Sequence, residues 1–117
     1  MARPSDLPLY LKSYKLIIYL YLLVAQFPKS YKFSLGGDIL QCVWGVLDCV
    51  IEANSLPNNQ KREPIIKAVA WHDKCLIRIR LAHELKLMSD KKYAFVMEQN
   101  EEIGKMLAGW LAWSKRS

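Results

Sequence analysis

The stretch "KREPIIKAVAWHDKCLIRIRLAHELKL", residues 61–87, decides the fold. At about 100° per residue its apolar side chains do not collect on a single side. Ile65, Ala68, Val69, His72, Cys75, Leu76, Ile79 and Ala82 form one broad face. A second stripe, Ile66, Ala70, Ile77 and Leu81, lies well away from it, and Lys67, Trp71, Lys74 and Arg78 share a third side. Pro64 falls in the first turn, the one place where a helix tolerates it. The spacing therefore predicts a long helix with one face in a core and a second apolar stripe that this core does not use.

Working outward, turn residues and proline cut the rest of the chain into three more helices. Asp6 and Pro8 start a first helix that stops before Pro28, over roughly 7–27. Ser34 is a plausible N-cap for a second, roughly 35–54, whose polar residues Asp38, Gln41, Asp48 and Glu52 lie on one narrow stripe. "SLPNNQ", 55–60, is turn chemistry, and the third helix spans roughly 61–87. Ser89 caps a fourth, roughly 90–113. Four long helices with short connections predict an all-α chain, 1–117, folded as one antiparallel up-down four-helix bundle.

The bulk numbers fit this. The 117 residues suffice for one core, and 52% hydrophobic with 24% charged residues is a globular composition. The net charge of +6 is uneven: residues 34–56 carry Asp38, Asp48 and Glu52 with no base, while the segments on either side are basic. A surplus of this size points to an anionic partner such as RNA or DNA. "LIIYLYLLVA", 16–25, is too short to cross a bilayer and lacks a small-residue cleavage site after it, so it reads as a core helix rather than an anchor or signal. No membrane partner is expected, and the location expected is the cytoplasm.

Candidate chemistry is sparse. Cys42, Cys49 and Cys75 lack the pairing of a disulfide framework and read as buried thiols. With His72 they could gather as a metal site, but without a CxxC or ExxH pattern a core histidine and inert thiols are the better reading, and His83 is read likewise. No nucleophile-and-base set stands out, and "SLGGD" lacks the lysine and spacing of a phosphate loop. The chain is expected to be no enzyme and to need no cofactor or metal.

The closing stretch "EIGKMLAGWLAWSKRS", 102–117, is apolar nearly all round, with Lys105 its one polar side chain between Ile103 and Trp113. Such a helix is expected to pack against its own bundle and against a neighbouring chain. Gly104, Ala108 and Gly109 would allow close approach, and Trp110 and Trp113 would supply contact area. Together with Ile66, Ala70, Ile77 and Leu81 they make the expected oligomer interface, since exposed apolar patches beyond a few hundred Å² are uncommon on monomers.

Four stretches in order, "FPKSYKFSLGGDI" (27–39), "LIRIRLAHELKLMS" (76–89), "KKYAFV" (91–96) and "EEIGKMLAGWL" (101–111), resemble one family. It is the accessory variability determinant (Avd) family of diversity-generating retroelements, within a wider four-helix-bundle group related to proteins of ribosomal RNA intervening sequences. The likeness covers Leu9 to Trp113, with Ala108 where a glycine is common. It implies an adaptor that forms a ring-like pentamer with a basic outer surface. Such an adaptor binds the element's reverse transcriptase and RNA or DNA, and supports mutagenic copying of a template repeat. The basic positions expected to serve this are Lys67, Lys74, Arg78 and Arg80, extended by Lys29, Lys32, Lys61 and Arg62. A protein-only oligomeric module of the same fold, with the lysines serving solubility, is the alternative.

Overall fold

The computed structural model describes residues 7–116. Four long helices carry the chain: α1 (Pro8–Val24), α3 (Leu35–Ser55), α4 (Arg62–Glu84) and α5 (Asp90–Ser114), with a one-turn helix α2 (Lys29–Lys32) between the first two. No strand occurs among the described residues. The long helices form a ring in which α3 lies between α1 and α4, and α5 closes against both α4 and α1. Consecutive long helices run antiparallel in an up-down bundle 45 Å long and 20 Å across. Two cross-links show the register of the closing pair. Lys12 near the start of α1 pairs with Glu102 midway along α5, and Lys92 at the start of α5 donates to the Gln26 side chain just past α1, at 3.1 Å.

The core is the one the helical periodicity requires. Ile65, Ala68, His72, Cys75, Ile79 and Ala82 of α4 are buried, and so are Ile39, Val43, Val46, Leu47 and Val50 of α3. Asp38, Gln41, Asp48 and Glu52 all face solvent. By length and composition Lys29–Ser55 would suffice to cross a membrane, but 56% of its 18-residue apolar window is buried inside the bundle, as in a core helix.

The helix ends depart from the sequence expectation in several places, each for a local reason. Asp6, expected to start α1, lies outside the described residues; the cap position is Leu7, without a side-chain bond. Helix α1 ends at Val24 rather than Phe27. There the amides of Gln26 and Phe27 bond back to Leu23 and Val24 in tight turns, and Phe27 buries its ring ahead of Pro28. Ser34 stands at the N-cap of α3 but does not cap it; its hydroxyl donates to the Ser30 carbonyl at 3.0 Å. Ser89 does cap α5, accepting from the Lys92 amide at 3.2 Å. Within "SLPNNQ", Asn58–Gln60 form a 3-10 turn.

Helix α4 ends at Glu84, three residues short of Leu87, because the chain turns left-handed at Lys86 (φ 62°). The Leu87 amide then bonds to the Ala82 carbonyl and the Lys86 amide to that of His83, both at 2.9 Å, the paired closure of a Schellman motif. Glycine usually holds that position. A side chain there costs about 1 kcal/mol.

The end of α3 is closed from a distance. Lys61, expected at the surface, is 8% exposed. Its ammonium donates to the carbonyls of Ala53 (2.8 Å), Asn54 (3.3 Å) and Leu56 (2.6 Å). A cation is thus placed where the last carbonyls and negative dipole end of a 21-residue helix need one, the Ala53 carbonyl also accepting from the Leu56 amide. Burial pulls the Lys61 pKa below its usual range, and the three carbonyls offset that cost.

Two stability measurements follow. Lys86→Gly is expected to stabilise the fold by about 0.5–1 kcal/mol in urea denaturation, since the left-handed turn then loses its side-chain penalty. Lys61→Met is expected to destabilise by about 1–3 kcal/mol, leaving the part-buried carbonyls of Asn54 and Leu56 unmet. An unchanged midpoint for Lys61→Met would show that water replaces the ammonium without loss.

Candidate nucleic-acid and assembly surfaces

Helix α4 positions most of the candidate residues, and two contacts fix its rotation. On the α3 side the Trp71 indole lies against Gly45; a Cβ at Gly45 would stand 2.4 Å from Trp71 Cδ2 and 2.7 Å from Cε2. On the α5 side His72 reaches across Gly104 to the backbone carbonyl of Asn100, at 2.8 Å. A carbonyl only accepts, so the imidazole carries its proton on Nε2. A Cβ at Gly104 would meet the His72 ring at 3.0 Å. Gly104, expected to admit a neighbouring chain, is thus accounted for by close packing inside this one.

With α4 held so, its three sides separate as the spacing predicts. Lys67 and Lys74 are exposed, Arg78 and Trp71 half-buried. The Lys74 ammonium stands 4.5 Å from the centroid of a Trp71 ring, a cation–π contact that leaves it at the surface. Arg78 donates to the Lys74 carbonyl at 3.2 Å. Arg80, on another side, pairs with Glu84 one turn on, at 3.2 Å, within its own helix. Arg62 is exposed at the start of α4; Lys29 is exposed and Lys32 half-buried on α2, in the segment expected to be a plain connection. Lys61 leaves the set, since its amine is committed to α3.

The basic side of α4 is not uniformly positive. Cys42 of α3 lies in the field of Arg78 and Lys74 and also of Asp38. Cys49 lies in that of Glu52, Lys67 and Asp48. Bases of α4 and acids of α3 therefore flank one seam. The three thiols are free and buried. Burial raises all three pKa values, pushing Cys75 up to about 12, which keeps them protonated and unreactive. No cluster of three metal-ligating side chains occurs among the described residues. His83 is partly exposed, stacked on Tyr93 with centroids 4.0 Å apart and bonded to Asp90 at 2.7 Å.

The second stripe of α4 is open to solvent: Ile66, Ala70, Ile77 and Leu81 are all exposed, Ile77 to 68%. On α5, Ala108 and Trp113 are exposed, while Trp110 is half-buried and packs on its own core. Trp110 also lines a cleft of about 400 Å³ with Leu9, Val50 and Met106. The two lysines at this cleft, Lys61 and Lys105, are already engaged, the latter with Glu101 at 3.5 Å. The sequence reading missed a further stripe on α1, where Leu11, Tyr14, Ile18 and Leu22 are exposed at helical spacing. Its signal was present as steps of three and four in a run so apolar that no side stood out. Phe33, beside α2, was also missed.

No curated protein matches the chain. The family model described as bAvd-like matches residues 9–114, which is nearly all of it. That span takes in all four long helices, Trp71 on Gly45 and His72 across Gly104. The chain belongs to the bAvd-like family, the accessory variability determinants of diversity-generating retroelements.

Proposed function

We propose that this chain is a non-enzymatic accessory protein that assembles into a ring, a pentamer by family resemblance, in the cytoplasm. There it joins the reverse transcriptase of a diversity-generating retroelement to RNA or DNA in support of mutagenic retrohoming. Family membership supplies the accessory role. The observation that carries the rest is that one helix, α4, presents an uncovered apolar stripe beside a lysine-bearing side.

The apolar stripe supports self-association. Fully covering a side chain of the size of Ile77 or Leu81 is worth about 1.5–3 kcal/mol, and several act together. The α1 stripe lies diagonally across the bundle from α4, so each copy offers two different apolar sides. The lysine side supports a phosphate contact that positions a nucleic acid without reading its bases. Five copies of a chain with net charge +6 would concentrate that attraction.

Light scattering is expected to give a mass several times 13.6 kDa. Ile77→Lys with Leu81→Lys is expected to shift it to one copy; a folded wild-type monomer at micromolar concentration would remove the ring. In gel shifts over salt, the wild type is expected to lose affinity as salt rises. Replacing Lys67, Lys74 and Arg78 by Gln is expected to flatten the log–log slope by about two to three. Absence of binding at low salt would favour the protein-only module, and binding unmoved by the triple change would take the contact away from α4.

A further inference from the structure

Phe33 has no large apolar rival for exposure among the described residues, at 79%. It sits where α1 hands over to α2 and α3, at the same end of the bundle as the α4–α5 connection. Its surroundings in the chain are polar or turned inward. Lys29, Ser30, Ser34 and Gly37 are exposed, Tyr31 and Lys32 are half-buried, and Leu35 is buried. Along the chain the ring stands alone among polar residues; Leu22 in the last turn of α1 and Leu85 just past α4 are also exposed at this end.

The same end gathers cations. Lys29 and Lys32 of α2 share it with Lys86 in the α4–α5 connection and Lys91 in the first turn of α5. The bundle is 20 Å across, so all four lie within reach of one short segment of a polyanion. None of them has a carboxylate partner among the described residues. Of the acids at this end, Glu84 is engaged with Arg80 and Asp90 with His83, while Asp38 in the first turn of α3 is exposed. On the side of α4, Lys67, Lys74 and Arg78 share the surroundings of Cys42 and Cys49 with Asp38, Asp48 and Glu52 of α3.

An exposed aromatic face among unpaired ammonium groups matches one ligand chemistry. Each base of a nucleic acid has a π face that stacks on an aromatic ring, and it is free to do so only when the base is not already stacked in a duplex. Lysines meet the phosphates on either side as point charges. We infer that this end of the bundle is a single-strand site, with Phe33 as the stacking platform and Lys29, Lys32, Lys86 and Lys91 holding the backbone. The inference rests on the nucleic-acid reading above and narrows it, in ligand to unpaired strands and in place to the bundle end.

The test is fluorescence anisotropy of the full chain with labelled oligothymidylate and with a duplex of equal length. Phe33→Ala is expected to weaken single-strand binding about 5- to 100-fold, the usual range for one stacked base. Duplex binding and the melting temperature should stay unchanged, and Phe33→Trp should restore affinity. Replacing the four lysines by Gln is expected to weaken both probes and to flatten the salt dependence. The inference is overturned if Phe33→Ala binds oligothymidylate like the wild type, or loses equally on both probes. It is also overturned if the change spares oligonucleotides and abolishes capture of the reverse transcriptase, which would make Phe33 a protein contact. A wild type that binds neither probe overturns the nucleic-acid reading itself, so the two failures are distinct.

Discussion

The position of α4 depends on two rings placed where neighbouring helices have no side chain. Trp71 lies on Gly45 of α3, and His72 lies across Gly104 of α5. Successive residues on a helix point about 100° apart, so this pair addresses the two flanking helices at once. Either contact alone would leave α4 free to roll. Together they set which side enters the core, which carries the lysines and which is left open. Each glycine costs its helix roughly 1 kcal/mol in propensity. That cost is offset by ring contact and, for His72, by a buried hydrogen bond to the Asn100 carbonyl.

That division was legible in the sequence because a helical period survives any tertiary context. The four long helices, the inward side of α4 and the polar stripe of α3 all follow from spacing. Helix ends were less legible, because they turn on a single backbone angle or one distant side chain. Nothing in "HELKL" announces a left-handed Lys86, a position where glycine would have been the signal. Nothing in "NNQKREP" distinguishes a lysine that caps α3 from one that meets solvent. Periodicity also names faces, not partners. Gly104 and Gly109 look alike in an apolar helix, yet one meets His72 and the other has nothing within 4 Å. A lone aromatic such as Phe33 has no period and leaves no trace in such a reading.

Charge shows the same limit. A surplus of +6 does not make every base a binding group. Lys61 is spent on helix carbonyls, Lys12, Arg80 and Lys105 on carboxylates, and Lys74 partly on Trp71. Bases of α4 and acids of α3 both act on the buried thiols Cys42 and Cys49, so the charge along that seam is mixed. Lys29, Lys32, Lys86 and Lys91, at the end of the bundle where helices change direction, have no carboxylate partner among the described residues.

The apolar stripes and the bundle end constrain one another in the proposed ring. A two-fold dimer uses the same patch on both copies, so it would cover the α4 stripe or the α1 stripe and leave the other wet. Joining the α4 side of one copy to the α1 side of the next covers both, and such a contact closes only by rotation about a common axis. Association through the flanks of a bundle 45 Å long leaves its ends free. Cyclic symmetry would then bring the Phe33 end of every copy onto one rim. A strand leaving one site would meet the next at a fixed interval, and weak contacts of a few residues each would add through effective concentration. In this arrangement the apolar surface of α1 and α4 serves the nucleic acid without touching it, by setting the spacing of the sites that do.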